Sequence, residues 1–420
     1  MALSTYSNIA TSILNNKAGR VTLPSMVTYI VTWRCNLRCF MCDVWKKTDH
    51  DDMTPEEAGK IFKQLQKLDT LRLTGGEPFL RRDFDKLVGS ILEVTDPTVV
   101  HITTAGVMYE RIVEFVKTFG SKKLHLKVSI DAVGDRHDEI RGYRGLYNKS
   151  LRTLRTLAEL REQYGFYLGV NQTISDRNWD HIVPLREAMG ELGIPVHYAI
   201  ATDHYTLYRL NTSKENQVPD MRSVSMSDYT PEQLQYIFDQ LDRRDAIHDV
   251  PEWMVQRYYL HGLKNRLLKG IEEPKPSCIE LHNHMRLMPN GDVMTCVYYP
   301  NIVGNLRRQT LEEVWFGKDI EPQRKVVKNC VGCWAGCEVK PNAIYTGDIV
   351  KAFTMGPVSD RSKDAPMPVG SSQLSVNSNQ LPVNSEQLSV NSKQSTGNGK
   401  TPNVTFVDAA ADSDRGVVGK

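Results

Sequence analysis

"RCNLRCFMC", residues 34–42, places Cys35, Cys39 and Cys42 within a single short run of a chain that has eight cysteines in all. The spacing is C-x3-C-x2-C, and the next cysteine is Cys278. A structural zinc site needs four ligands, usually as two short pairs. A catalytic thiol needs one cysteine and a base. Three thiolates can instead hold three irons of a [4Fe–4S] cube that normally takes four cysteines. One iron is then left open to a ligand that the protein does not supply.

The triplet directly follows "VTYIVTW" (27–33), a β-rich run. Further such runs are "TLRLT" (70–74), "TVVHITT" (98–104), "LHLKVSI" (124–130), "YLGVNQTI" (167–174) and "VHYAIA" (196–201). Several are nearly continuous in apolar character, as buried parallel strands are. Amphipathic segments lie between them. "TPEEAGKIFKQLQKL" (54–68) opens with a capping box, Thr54 and Glu57 around Pro55, and carries Ile61, Phe62, Leu65 and Leu68 on one stripe. "DRNWDHIVPLREAMGELG" (176–193) stops at Gly193, a C-cap residue. Six β/α units imply an α/β fold built as a partial (β/α)6 TIM-like barrel, short of the eight units of a closed one.

The bulk numbers narrow the function classes. The 420 residues are 40% hydrophobic and 24% charged, with 52 basic against 50 acidic side chains and a net charge of +2. That balance argues against nucleic acid as a partner. No stretch of about 20 apolar residues is present, so no membrane span is expected. The N-terminus lacks a basic region followed by an apolar core, so a cytoplasmic location is expected. Disulfides are rare there, and clustered cysteines then point to metal or catalysis.

Five segments follow. Residues 1–23 form an N-terminal extension, 24–229 the partial barrel with a polar loop after its sixth strand, and 230–265 a helical linker opened by "TPEQLQYIFDQL" (230–241). Residues 266–353 form a small cysteine-rich domain. Residues 354–420 contain a Ser/Asn-rich repeat with Gln at 373, 380, 387 and 394, which reads as a disordered tail.

The triplet after a first strand resembles the signature of radical S-adenosylmethionine (radical SAM) enzymes. The likeness continues with "LTGGEP" (73–78), similar to that family's Gly-Gly-Glu motif, then "VSIDA" (128–132) and "HDEIRG" (137–142). Four elements in ordered slots are a far stronger signal than one. The resemblance implies a [4Fe–4S] cluster on Cys35, Cys39 and Cys42 whose open iron binds SAM. It also implies reductive cleavage of SAM to methionine and a 5′-deoxyadenosyl radical, which takes a hydrogen atom from a substrate. Implied SAM contacts are Met41, Gly75, Gly76, Glu77, Ser129, Asp131 and Arg141. Glu77 would accept from the SAM ammonium, Ser129 and Asp131 from the ribose hydroxyls, and Arg141 would meet the carboxylate. Two positions depart from the family pattern. Met41 stands where an aromatic residue is usual, and Ala105 in "TTAG" stands where an Asn is common.

Cys278, Cys296, Cys330, Cys333 and Cys337 form a second set. "CIELHNHMRLMPNGDVMTC" (278–296) reads as a hairpin turning at Asn290-Gly291. The set resembles the auxiliary iron–sulfur domains called SPASM and twitch. Full SPASM domains hold two extra clusters and need more cysteines than this chain offers. The resemblance therefore implies one second [4Fe–4S] cluster on Cys278, Cys296, Cys330 and Cys333, with Cys337 as an alternative to Cys330 or Cys333. A zinc ribbon is the competing reading of a C-x2-C pair. His282 and His284 read as surface residues.

An enzyme of the radical SAM type is expected, oxidising a small molecule or forming a bond on it, with an external donor such as flavodoxin or ferredoxin. The alternative is maturation of a ribosomally made peptide. A non-catalytic iron–sulfur or zinc protein is the third reading, but it would have no use for Gly-Gly-Glu.

Overall fold

The computed structural model describes residues 3–65, 68–201, 229–241, 250–330 and 332–356. Most of the loop expected at 202–229, and the tail from 357 on, lie outside them.

Strands β1 (Met26–Ile30), β2 (Thr70–Thr74), β3 (Val99–Thr104), β4 (Leu124–Ser129), β5 (Tyr167–Ile174) and β6 (Val196–Ile200) pair in parallel, each with the next. They lie where the β-rich runs place them. The first ends early because Thr32 Oγ1 accepts from the amide of Arg34 at 3.1 Å and bends the chain into the cysteine loop. Helices α2 (Pro55–Phe62), α3 (Phe84–Val94), α4 (Tyr109–Phe119), α5 (Asp135–Arg141), α6 (Leu146–Tyr164) and α7 (Ile182–Gly190) fill the crossovers.

The capping box of α2 is formed: Thr54 Oγ1 accepts from the Glu57 amide at 3.2 Å, and Glu57 returns to the Thr54 amide at 2.8 Å. The helix stops at Phe62 rather than reaching 68, although Leu65 and Leu68 are still buried. Their apolar spacing reflects burial, not helix. Helix α7 likewise stops at Gly190, and Gly193, at φ +61°, closes the turn after it. Between sheet and helices, Phe79, Phe84 and Phe115 meet with ring centroids 5.0 to 5.4 Å apart, at the centre of a large apolar core.

The sheet does not end at β1. Strand β7 (His284–Leu287) pairs in parallel with it, and β8 (Asp292–Met294) and β9 (Ile302–Asn305) follow as antiparallel neighbours. The order is β6-β5-β4-β3-β2-β1-β7-β8-β9. The expected hairpin is present, with Gly291 at φ +86° in its turn. The segment expected as a separate small domain therefore extends the barrel sheet.

Among the described residues, five further α-helices follow the barrel: α8 (Pro231–Leu241), α9 (Val250–Lys269), α10 (Leu311–Trp315), α11 (Glu321–Lys328) and α12 (Gly336–Thr346). The extension before the barrel is a helix, α1 (Leu3–Lys17), docked on α12 through Asn16 Nδ2 to the Tyr345 carbonyl (2.9 Å), with Ile9 and Ile344 both packed against the cluster of Met26, Ile279 and Tyr345. No described helix is long and apolar enough to cross a membrane.

Candidate active site

Cys35, Cys39 and Cys42 sit on the loop leaving β1, and all three line one cavity of about 200 Å³. Backbone contacts fix the loop. The Arg38 amide donates to the Arg141 carbonyl at 3.0 Å, and Phe40 to Ile140 at 3.1 Å, so α5 acts as its anvil. From the turn after β2, the Gly76 amide donates to the Thr32 carbonyl and the Glu77 amide to that of Arg34. A Cβ on Gly75 would lie 2.4 Å from the Thr32 carbonyl oxygen, and one on Gly76 2.1 Å from that of Arg34. These glycines admit the cysteine loop itself, a role beyond contact with a ligand.

The other expected SAM contacts are brought together unevenly. Met41, Gly75, Gly76, Glu77, Ser129 and Arg141 line the cysteine cavity, as do Trp45, Thr103 and Thr173. Glu77 is buried there; its carboxylate accepts from Thr104 Oγ1 and the Ala105 amide, both at 2.7 Å, and from the Phe79 amide at 3.1 Å. Burial pushes its pKa up, against those hydrogen bonds. The departing "TTAG" thus supplies backbone and hydroxyl donors in place of an amide side chain. Asp131 is fully buried and is not part of the cavity's lining. Its carboxylate accepts from Arg141 Nε at 2.6 Å and from the Thr173 amide at 2.9 Å. In this structure it positions Arg141, whose Nη1 comes within 4.0 Å of the Cys39 sulfur.

Burial lifts the Cys35 thiol far up and pushes Cys39 up to about 11. Thiolates here need a bound cation to exist near neutral pH. Three sulfur donors around one small cavity, beside uncharged backbone and a carboxylate, fit a [4Fe–4S] cube with one iron left to another ligand.

A second cavity of about 600 Å³ occupies the barrel interior and shares Thr103, Ser129, Arg141 and Thr173 with the first. Arg72 on β2, His101 on β3, Lys127 on β4 and His197 on β6 point into it, and α12 covers it with Cys337 and Lys340. The sequence reading missed these residues. The signal was a basic residue between apolar ones in "LRL", "VHI", "LKV" and "VHY". Their apolar neighbours suggest wholly buried strands, but alternate positions face a polar lumen.

Cys278, Cys296, Cys330 and Cys333 line a third cavity of about 760 Å³ with Glu280, His282, Tyr298 and Tyr299. The amides of Tyr299 and Gly332 each donate to a sulfur, Cys296 and Cys330, at 3.3 Å. Burial pushes Cys296 up to about 12 and raises Cys278 and Cys333 well above the ordinary thiol value. Cys337 lines the barrel lumen, where its carbonyl accepts from Arg72 Nη1 at 2.9 Å, while its thiol lies 3.5 Å from Glu338 Oε1 and packs in one cluster with Cys296 and Cys333.

His284 corrects the surface reading: it is wholly buried. Its Nε2 lies 2.8 Å from Thr28 Oγ1 on β1, and its Nδ1 3.0 Å from Glu280. Glu280, His284 and Glu338 have the donor types of a metal site. Arg286 already bridges the two carboxylates, at 3.0 Å from Glu280 and in contact with Glu338, so the group reads as a buried charge network tying β7 to α12. His282 is half-buried, with Nδ1 at 3.0 Å from the Glu280 carbonyl.

Comparison with known proteins agrees with this layout. Residues 29–179 match the Radical SAM superfamily, and residues 278–337 match SPASM, an iron–sulfur cluster-binding domain. The AdoMet-dependent heme synthase of Methanosarcina barkeri is 24% identical over 330 residues, 76% of this chain and 89% of that protein. The GTP 3′,8-cyclase of Aquifex aeolicus is 26% identical over 309 residues, 70% of this chain and 88% of that one. The crystal structure of Streptococcus suis SuiB bound to precursor peptide SuiA superposes with a TM-score of 0.53 at 17% identity, covering 77% of this chain and 71% of SuiB. That likeness is one of fold.

Proposed function

As this chain is a radical SAM enzyme with a C-terminal SPASM iron–sulfur domain, we propose that it abstracts a hydrogen atom from a small molecule held in the barrel lumen, leading to oxidation or bond formation. The observation that carries this reading is the shared wall of the two cavities: Thr103, Ser129, Arg141 and Thr173 face both the cysteine site and the lumen. A lumen of about 600 Å³ falls in the range of small-molecule sites.

A [4Fe–4S] cluster on Cys35, Cys39 and Cys42 supplies, when bound, the electron that cleaves SAM to methionine and a 5′-deoxyadenosyl radical. The chain's part is placement. Gly75 and Gly76 present backbone beside the thiols, Met41 offers a polarisable thioether surface, and Glu77 offers a carboxylate edge to the SAM ammonium. Arg141, held by Asp131, presents a fixed cation where the two cavities join, and Ser129 offers a hydroxyl.

Cys278, Cys296, Cys330 and Cys333 hold a second [4Fe–4S] cluster in this reading, closed by four ligands and suited to accepting one electron from a substrate radical. Flavodoxin or ferredoxin would supply the first electron in a cytoplasmic setting. The second reading, a peptide maturase, draws support from the SuiB structure, which carries a precursor peptide; a side chain would then enter the lumen.

The deciding experiment is anaerobic reconstitution followed by SAM and dithionite. About eight irons per chain and release of 5′-deoxyadenosine are expected, and both the SAM cleavage and about four irons should vanish in the Cys35/Cys39/Cys42→Ala triple variant. Wild-type protein that makes no 5′-deoxyadenosine would overturn the reading.

A further inference from the structure

The lumen is lined with cations from elements far apart in sequence. Arg72 comes from β2, Lys127 from β4 and Lys340 from α12. The imidazoles of His101 and His197 stand among them. Charges in a secluded cavity cost free energy unless they are paired. Among the described residues, the local acids do not match them. Asp131 is taken by Arg141 (2.6 Å), and Glu252 on α9, the acid that acts on both lysines, lies 3.0 Å from His197 Nδ1. Arg72 gives one donor to the Cys337 carbonyl and keeps the rest of its fork.

From this surplus we propose that the lumen binds a small organic anion, its carboxylate or phosphate on Arg72, Lys127 and Lys340 and its carbon skeleton towards Ser129 and Thr173. The inference rests on the reading of the lumen as the substrate site. Arginine's planar fork suits a two-oxygen acidic group, and the two ammonium groups add point charges around it. The acidic group then lies at the α12 side, and the skeleton reaches the wall shared with the cysteine cavity, where hydrogen abstraction takes place. Burial and the neighbouring cations hold His101 and His197 neutral. His197 is engaged at both ring nitrogens, by Glu252 and by the Tyr167 hydroxyl at 2.6 Å, so His101 is the imidazole left to serve uncharged polar atoms of the ligand. Mutual repulsion supports the same conclusion. Burial and Lys340 together pull Lys127 down to about 7, and burial pulls Lys340 to about 8 despite Glu252. A bound anion reverses both shifts.

The test uses the reconstituted holoenzyme under anaerobic conditions, titrated calorimetrically with inorganic pyrophosphate and, separately, with tricarballylate, at constant ionic strength and pH 6.5. Wild-type protein is expected to bind at least one of them. Binding of pyrophosphate alone assigns a phosphate ligand, and of tricarballylate alone a carboxylate; binding of both supports the anion site without choosing. Lys127→Gln and Lys340→Gln should each weaken binding by about tenfold or more. Should the variants fold poorly, acetic anhydride labelling of wild-type protein provides the same answer: the bound anion should slow acetylation of Lys127 and Lys340 but not of the exposed Lys122. The proposal is overturned if neither anion binds, or if the anion that binds protects neither lysine. No SAM is present in these titrations, so their outcome is independent of whether 5′-deoxyadenosine is formed.

Discussion

Arg141 and Asp131 form a buried ion pair, Nε to Oδ2 at 2.6 Å, and the same guanidinium lies at the edge of the Cys39 sulfur. The carboxylate is wholly buried and the arginine nearly so. Removing one charge of such a pair strands the other, at a cost of about 3–5 kcal/mol. Asp131→Asn keeps the shape and removes the charge. Its denaturation midpoint in urea should fall accordingly, and its affinity for SAM should weaken because Arg141 is no longer held. An unchanged midpoint would show that the pair is not closed in solution.

Two glycines separate close approach from mere flexibility. A Cβ at Gly76 meets the Arg34 carbonyl at 2.1 Å, a backbone atom that cannot step aside without moving the cysteine loop. Gly76→Ala should therefore lose about four irons while keeping its far-ultraviolet circular dichroism. Gly190, at the end of α7, has no atom within 4 Å of its Cβ position. Gly190→Ala should retain its iron and gain about 0.5–1 kcal/mol in stability.

The lumen predicts a pH dependence. Lys127 faces Lys340 on α12 and Arg72 on β2, which lower its pKa, and Glu252 on α9, which raises it; burial lowers it most. Folded, it releases its proton near 7, whereas its usual value is 10.5. Between these values the unfolded chain binds more protons, so stability to unfolding rises with pH across that window. Urea midpoints at pH 6.5, 7.5 and 8.5 should increase in that order, and Lys127→Met should flatten the slope. Anion binding in the lumen should run the opposite way, weakening as pH rises.

The cavities also separate the five downstream cysteines. Cys330 and Cys333 line the third cavity, whereas Cys337 is in the lining of the lumen and reaches the other cavity only through its neighbour Glu338. Cys337→Ala should keep about eight irons, and Cys330/Cys333→Ala about four. The double variant should still release 5′-deoxyadenosine slowly with dithionite but form no product. Iron lost from Cys337→Ala would move that residue into the ligand set.

Local signals were readable and long-range ones were not. "TLRLT" marks β2 to the residue, and the Thr54/Glu57 box marks the start of α2, because both are fixed by neighbours in sequence. The triplet and the Gly-Gly-Glu stretch do share one cavity. Nothing local says that β7 will pair with β1, more than 250 positions earlier, as in Met26 opposite His284. The surface reading of His284 failed for the same reason, since Thr28 and Glu338 come to it from separate elements and only Glu280 is a neighbour in sequence. Arg72 and Lys127 were not legible because a single basic residue in an apolar run carries no meaning until several strands curve around one space, and Lys340 was not because nothing local says that α12 will cover that space.

Strand β1 is flanked by β2 on one side and β7 on the other, and the cysteine loop hangs from its end. The region after the barrel is therefore not an accessory that can be shed. A gene shortened at residue 270 would leave β1 with a bare edge of amides and carbonyls, open to the next molecule's strand. It would also uncover the lumen, whose lid is α12. A lineage descended from this protein could vary its surface loops freely, but it could not discard the second half and keep the first.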